Sequence, residues 1–354
     1  MSIPLTCTPY AAANVCSYNS AMERGWDAFV SRHVQGTLFH LTAWKRAIER
    51  AFGFESRYLA VVDRGEIRGV LPLFLVRNLV QGKALISVPF GVYGGICADD
   101  DETSQLLREA ACGLARQERV QYLELREQSP TPHPEFECKR LYVTFDRELP
   151  PDPDELLNSF PRDTRYMIRK AHKNGLHAVV DNAQLDLLYD IYAYSVWQLG
   201  SPVFPKHYFR MLMEEFGDRC EITTIWHQNR AVAGVMSFRF NDWVLPYYGG
   251  SLAEGRQLAA NNLMYWEVMR RASERGIRYF DFGRSKLGTG AYAFKMQWNM
   301  RERPLPYQFY LVRRKTMPNF SPANPRFHLG VNLWKRIPLT VANTFGPSLV
   351  RLFP

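Results

Sequence analysis

The sequence predicts an α/β fold, of the α+β kind, in which one unit occurs twice in tandem. The clearest observation is a pair of similar segments, 61–74 and 225–238, each an apolar run, a short polar turn and a second apolar run entered through Gly-Val. This pattern is typical of an antiparallel hairpin. An amphipathic helix closed by Phe-Gly precedes each hairpin, over 39–53 and 204–217. Self-similarity over this distance indicates a duplicated domain.

The similarity continues downstream of both hairpins. Residues 89–95 of the first copy and 246–250 of the second both contain Tyr-Gly-Gly. A helix and then a strand follow in each copy, with the strands at 122–126 and 279–284. We therefore expect two domains, each a mixed, twisted sheet flanked by helices.

Breaks in the pattern set the expected boundaries. Residues 1–22 are polar and predict an irregular leader, and 23–148 form the first domain. The prolines of 150–153 end both helix and strand, so the second domain is expected at 154–312. Residues 313–354 form a basic, aromatic and proline-rich C-terminal extension.

Composition excludes several classes of protein. With 354 residues, 46% hydrophobic and 22% charged, the chain can bury two cores. The six cysteines and eight histidines show no metal-ligand spacing, so we expect no metal site. A Gly-x-Ser-x-Gly nucleophile elbow is also missing from the sequence. Neither a signal peptide nor a run of 18 apolar residues occurs, which predicts a cytoplasmic location.

The net charge of +9 is concentrated near the C-terminus. No Asp or Glu follows Glu302, whereas eight cations do: Arg303, Arg313, Arg314, Lys315, Arg326, Lys335, Arg336 and Arg351. Two interpretations stay open. The extension packs its aromatic residues on the protein and leaves its cations in water, or it makes peripheral contact with the inner membrane or an anionic glycolipid.

A basic helix opens the second domain. Its cations recur at steps of three or four, which places them on one helical face: Arg162, Arg165, Arg169 and Lys173. Guanidinium groups on such a face suit the diphosphate of a nucleotide sugar or a lipid-linked precursor. A merely solvated face is the alternative. The candidate substrate-binding residues here are Arg165, Tyr166, Arg169 and Lys170.

A glycine-rich segment of the second copy has no counterpart in the first. Residues 283–290 follow a strand and carry Arg284 and Lys286, so backbone amides and two cations could surround an anion. The spacing is not that of a P-loop, and a plain turn would also need glycines. The first copy lacks this segment. We therefore expect the first copy to be degenerate and the second copy to carry the active site.

The order of helices, hairpin, long strand, helix and strand resembles the GNAT acyltransferase fold, and two such units in one chain resemble the FemAB family. The resemblance spans about 26 to 300 and rests most on 162–175, 247–250 and 281–284 with Phe294-Lys295. It is closest to the FemAB-like branch associated with exopolysaccharide and PEP-CTERM sorting systems. The family transfers an amino acid or another acyl group to an amine of a cell-envelope precursor, in the best-known cases from aminoacyl-tRNA to a peptidoglycan stem peptide.

The resemblance also implies site residues. Lys295 matches the family's Phe-Lys position near the acyl-transfer centre, where an ammonium could stabilise an oxyanion or hold the donor's phosphate. Asp281 is the second catalytic candidate, through orientation of cations or proton acceptance, although its counterpart Glu124 suggests a structural role. Tyr248, ahead of two glycines, is a further substrate-binding candidate. A surface lysine and a tyrosine kept for the fold are the alternatives.

The donor and two other functions stay open. Residues 253–262 fit poorly the GNAT loop whose amides grip the CoA pyrophosphate, and 99–102 are acidic. No tightly bound cofactor is expected, and the donor co-substrate is aminoacyl-tRNA or acyl-CoA. The leading prediction is amide formation on an envelope saccharide or peptide precursor. The alternatives are an acyl-CoA-dependent N- or O-acyltransferase that modifies exopolysaccharide, and a non-catalytic protein that binds anionic glycolipid or RNA.

Overall fold

The computed structural model describes residues 13–78, 82–128, 133–318 and 325–354. The strands are β1 (Ala13–Ser17), β2 (Glu55–Ser56), β3 (Leu59–Asp63), β4 (Glu66–Leu71), β5 (Phe74–Asn78), β6 (Gly82–Ile86), β7 (Cys97–Ala98), β8 (Tyr122–Leu125), β9 (Glu137–Glu148), β10 (Leu176–Val180), β11 (Cys220–His227), β12 (Arg230–Phe240), β13 (Trp243–Ser251), β14 (Tyr279–Asp281), β15 (Ser285–Lys286) and β16 (Arg301–Leu311). The helices are α1 (Glu23–Arg32), α2 (Thr42–Phe52), α3 (Asp101–Gln117), α4 (Pro153–Asn158), α5 (Arg162–Lys173), α6 (Leu185–Gln198), α7 (Lys206–Phe216), α8 (Ala253–Gln257), α9 (Ala260–Glu274), α10 (Gly290–Met296), α11 (Pro325–Trp334) and α12 (Leu339–Val350).

The first compact unit runs to Leu141 and takes up the chain again at Leu305. One of its sheets has the strand order β1-β3-β4-β7, and the other the order β16-β8-β6-β5-β2. Helix α3 contacts β3 and β4, and its face of buried residues includes Leu107, Ala111 and Ala115. Strand β8 pairs with β6 on one side and with β16, from the later part of the chain, on the other. The unit therefore contains residues from two separate parts of the chain.

The second compact unit begins at Tyr142 and continues to Pro304, with the C-terminal helices added. Its strand order is β10-β11-β12-β13-β14-β9. Strands β13 and β14 pair in parallel only at Trp243 and Val244, whereas β13 continues to Ser251. The two strands therefore stop pairing well before the end of β13, and the carboxyl ends of parallel strands that part in this way are places where ligands often bind.

The predicted duplication is confirmed in detail. Helices α2 and α7 both end at a glycine with positive φ, 65° at Gly53 and 50° at Gly217. The hairpins β3/β4 and β11/β12 even carry a register shift at the same place, after Val61 and after Ile225. The copies differ at Tyr-Gly-Gly, because 247–250 lie in β13 whereas the matching residues of the first unit form a loop.

Two of the expected boundaries differ from the structure. Residues 13–17 of the predicted irregular leader form strand β1, which pairs along β3, while residues 1–12 lie outside the described residues. The compact units also divide the chain elsewhere than at 148 and 312. Residues 142–148 of β9 pair with β14, and 308–311 of β16 pair with β8, so each of these strands belongs to the sheet that it completes.

The C-terminal extension contains two helices, α11 and α12. Helix α12 contacts α6, and its buried residues are Ala342, Gly346 and Val350, while Phe345 remains 59% exposed. In the part of the chain that the structure describes, no helix is both long enough and apolar enough to cross a bilayer.

His40 is a buried titratable group of the first unit. It is 2% exposed, and its Nε2 lies 3.0 Å from the Gly95 carbonyl oxygen. That oxygen can only accept, so Nε2 carries the proton and Nδ1 accepts from the Thr37 amide at 3.2 Å. Burial lowers the pKa of His40 to about 4.

We expect stability to fall as the pH drops from about 6.5 towards 4, because unfolded His40 binds a proton that the folded ring excludes. Urea unfolding at several pH values measures this. His40→Gln should lack this part of the pH dependence, and His177→Gln, at an exposed position, should keep it. An unchanged pH dependence in His40→Gln would contradict the neutral buried ring.

Candidate active site

Lys295 is the buried cation of the second unit's glycine-rich segment. Thr289 caps helix α10 by accepting from the Tyr292 amide, and the helix places Lys295 with only 9% of its surface exposed. Its Nζ donates to the carbonyl oxygens of Phe282 at 2.7 Å, Gly283 at 2.8 Å and Arg284 at 3.3 Å. An ammonium has three N–H donors, so these carbonyls use all of them.

Burial also changes the proton affinity of this amine. Loss of hydration lowers the pKa of Lys295 to about 7, and the Arg284 cation acts in the same direction. The Asp281 carboxylate opposes the shift. Lys295 can therefore exchange a proton near neutral pH, unlike an exposed lysine.

Asp281 fixes the start of the same turn. It is the last residue of β14, it is 3% exposed, and its Oδ1 accepts from the Thr144 hydroxyl at 2.8 Å and the Gly283 amide at 2.7 Å. Gly283 has a φ of 71°, which other residues rarely adopt. The carboxylate thus holds the turn from one side and Lys295 holds it from the other.

A second buried carboxylate lies beside the first and was missed by the sequence analysis. Asp146 of β9 pairs in register with Asp281 and is 2% exposed. Arg301 lies 2.7 Å from its Oδ1, and Arg303 bonds its Oδ2. The signal was the alternation along β9, where Thr144 and Asp146 share one face and apolar residues share the other. This alternation indicates a site only once the pairing of β9 with β14 is known.

The basic helix α5 is joined to this centre. The Thr164 hydroxyl donates to the carbonyl oxygen of Gln297, the residue that follows α10, at 2.7 Å. Thr164, Ile168 and Ala171 are the buried face of α5. The opposite face exposes Tyr166 (63%) and Arg169, with Arg165 and Lys170 partly exposed, as the spacing predicted.

The two cations of the glycine-rich segment lie near β9. Lys286 pairs with Tyr142 in the β15–β9 ladder. The Arg284 guanidinium carbon lies 4.6 Å from the centroid of the Tyr142 ring, a cation–π distance. The structure therefore gathers Asp281, Arg284, Lys286 and Lys295 into one segment and connects it to α5.

Tyr248 belongs to a different group of contacts. It is 5% exposed, and its hydroxyl lies 3.0 Å from that of Tyr208. Its ring packs against Tyr192, Phe204 and Phe209. These contacts account for Tyr248 as a core residue between α6, α7 and β13, and its substrate-binding role stays a prediction.

The segment before α9 uses many of its amides internally. The amides of Arg256, Leu258 and Ala259 donate to carbonyl oxygens of residues 252, 254 and 256, within and around the short helix α8. An amide with a carbonyl partner is not available to a pyrophosphate. The observation agrees with the poor sequence match to a CoA-binding loop.

In the first unit, the residue that corresponds to Asp281 forms a salt bridge. Glu124, the counterpart of Asp281, lies 2.8 Å from Nε of Arg126, and both side chains are buried. Arg126 also donates to the carbonyl oxygens of Val88 and Gly91. The Glu124–Arg126 pair has no net charge, and Arg126 also donates to backbone carbonyls. The two copies therefore differ at the position where the active site is expected in the second copy.

Lys295→Met should lower the free energy of unfolding by about 1 to 3 kcal/mol, because the turn carbonyls lose their donor. In the wild type, stability should rise with pH between about 7 and 10.5, since the unfolded state holds the proton that folded Lys295 releases. The Met variant should lack this rise. Denaturant unfolding tests both, with Lys173→Met at an exposed position of α5 as control; equal stability of the two variants would contradict the analysis.

Comparison with known proteins agrees with this geometry. The family model described as acetyltransferase (GNAT) domain matches residues 158–296. The crystal structure of FemX is similar with a TM-score of 0.65 at 18% identity, over 84% of this chain and 97% of that one. The C-terminal domain of a candidate lysylphosphatidylglycerol synthetase from Agrobacterium fabrum gives 0.58 at 12% identity, over 84% and 93% of the two chains. A tandem GNAT protein from the clavulanic acid biosynthesis pathway gives 0.54 at 11% identity, over 86% and 100%.

No curated protein matches the sequence. The structural likenesses establish the fold, and the family match falls on the segment that carries Lys295, Asp281 and α5. Residues 158–296 of the second unit therefore match a GNAT acetyltransferase domain, which supports an acyltransferase, and the chain has a fold similar to that of FemX.

Proposed function

We propose that this acyltransferase forms an amide by transferring an acyl or aminoacyl group to an amino group of a cell-envelope precursor, related to peptidoglycan or exopolysaccharide. The observation that carries the proposal is the bond from Thr164 to Gln297. It joins the buried face of α5 to the residue that follows the helix of Lys295, which supports placing the phosphate-binding groups of α5 and the acyl-transfer groups in one site.

In the proposed reaction, the acceptor amine attacks the carbonyl carbon of the donor. A C–N bond forms, the C–O bond of an ester or the C–S bond of a thioester breaks, and the carrier leaves as an alcohol or thiol. The proton lost by the amine ends on that leaving group or on solvent. Negative charge builds on the carbonyl oxygen, and a nearby preorganised positive charge stabilises it.

Lys295 and Asp281 then have defined roles. Because the three N–H donors of Lys295 are used by the turn, it acts on the oxyanion through its charge and by holding the 282–284 carbonyls in place. Asp281 holds the Gly283 amide and orients the turn from β14. Arg284 and Lys286 follow on that turn, where they contact anionic parts of the substrates.

The groups around this centre suit a ligand that is both charged and partly apolar. Nε of Arg165 is buried and has no acceptor among the residues that the structure describes. A phosphate oxygen of the substrate would supply one. Tyr166 (63%), Leu287 (43%) and Met296 (49%) are exposed on the same elements, and an exposed tyrosine ring can cover a sugar or peptide group.

The donor is proposed to be an aminoacyl ester such as aminoacyl-tRNA, or an acyl-CoA. The occupied amides of α8 favour the ester, because they remove part of the usual grip on the CoA pyrophosphate. The proposed acceptor places the enzyme in the cytoplasm, at the inner membrane surface where lipid-linked precursors lie.

A transfer assay tests the proposal. The protein is incubated with acyl-CoA or aminoacyl-tRNA and with amino-bearing peptidoglycan or exopolysaccharide precursors, and amide product is measured by mass spectrometry. We expect Arg165→Ala to raise KM about tenfold, because a charge-assisted contact to phosphate is lost. Lys295→Met should lower kcat, with partial recovery in Lys295→Arg.

Arg230→Ala is the matched control, since Arg230 is an exposed cation on the β11/β12 turn of the same unit. It should leave both constants unchanged. Amide formation that is equal in Arg165→Ala and Arg230→Ala, or product from no donor and acceptor pair, would overturn the proposal.

A further inference from the structure

One surface of the second unit exposes apolar and basic side chains together. It is formed by the end of α6, by α11 and by α12, and we call it the C-terminal face. Its exposed apolar members are Leu199 (70%), Leu333 (66%), Phe345 (59%) and Val341 (38%). Lys335 and Arg336 are exposed at the turn between the two helices. Isolated apolar side chains are common on surfaces, but a group of them rimmed by one sign of charge marks an interaction site.

The face is a fixed part of the unit. The Trp334 indole donates to the Ser201 carbonyl oxygen at 3.1 Å, and the Trp197 indole donates to the Ile337 carbonyl oxygen at 3.1 Å. A Cβ on Gly346 would come within 2.9 Å of Val203, so α12 lies close against the chain there. Since the tryptophans and Gly346 already bind the extension to the unit, the exposed side chains are not needed for that packing.

Helix α12 has one buried side and one side that faces solvent. Ala342, Gly346 and Val350 recur every four residues and are buried. Val341 and Phe345 lie away from this side and face solvent. Helix α12 itself carries no charged residue, so the cations beside its exposed apolar side chains are Lys335 and Arg336 of the preceding turn.

Charge identifies the partner. Every charged residue after Glu302 is Lys or Arg, so the extension repels cationic surfaces and attracts anionic ones. We propose that the C-terminal face docks on a bilayer that contains anionic lipid, with Leu333, Val341 and Phe345 inserted and Lys335 and Arg336 at the headgroups. This inference names a partner of the proposed function, but it is tested without turnover, so the two can fail separately.

The basic and the apolar residues of the C-terminal face should contribute separately to the affinity for the bilayer. Each basic residue near an anionic bilayer contributes about a fivefold change in affinity. Lys335→Gln together with Arg336→Gln should therefore weaken binding about 25-fold. Phe345→Ser should weaken it about tenfold, because a large apolar side chain is no longer inserted.

Vesicle flotation with the full chain measures this. Binding is compared between vesicles of phosphatidylcholine and vesicles of phosphatidylcholine mixed with phosphatidylglycerol. We expect binding to the mixed vesicles only, weakened by salt in the wild type. Val34→Ser, at a 94% exposed apolar position of the first unit, and Arg230→Gln are the matched controls and should bind as the wild type does.

Three results would overturn the inference. They are no binding to mixed vesicles, equal binding to both kinds, and equal affinity of Phe345→Ser and Val34→Ser. A change of oligomeric state in Phe345→Ser by light scattering, without a change in flotation, would instead assign the face to a second copy of the chain. Thermal unfolding and amide formation on a water-soluble acceptor should be unchanged in Phe345→Ser, which shows that loss of docking is not loss of folding.

Discussion

The second unit depends on one interaction, the contact of the buried Lys295 ammonium with the carbonyls of residues 282–284. Without that cation, the carbonyls that follow β14 would converge with no donor between them, which is unfavourable in a site with little water. With it, the turn is held against α10, and Thr164 holds α10 against α5. The position of Arg284 in the proposed site therefore depends on this amine.

The duplication makes this specialisation visible. Both copies have a β-hairpin with the same register shift, a long helix and a strand whose third residue is a carboxylate, Glu124 in β8 and Asp281 in β14. In the first copy the carboxylate Glu124 is neutralised by Arg126, which follows directly after the strand. In the second copy Gly283 opens the turn, and the Asp281 carboxylate interacts electrostatically with Lys295, which lies on a separate helix. A charge balance that depends on distant elements can respond to a ligand, whereas a closed local pair has little reason to change.

Local patterns in the sequence predicted many of the structural elements of both units. The helices, the hairpins and the basic face of α5 follow from periodicity, because each is a short-range property of the chain. The contact of α5 with α10 and the pairing of Asp146 with Asp281 join residues far apart in sequence, and no local pattern encodes them. Residues 13–17 were assigned to an irregular leader for the same reason, since their strand exists only by pairing with β3. Tyr248 also has neighbours that the local motif does not encode, because its ring packs among aromatic rings of α6 and α7, and its substrate-binding role stays a prediction.

The most direct test of this account is the titration of the Lys295 side-chain amine, followed by heteronuclear NMR with the exposed Lys173 as internal reference. The buried, carbonyl-bound amine should titrate with a pKa of about 7 and exchange its protons slowly with solvent below that pH. A Lys295 amine that titrates near the ordinary lysine value of 10.5, and exchanges its protons as fast as an exposed lysine does, would show that Lys295 is not buried against the turn.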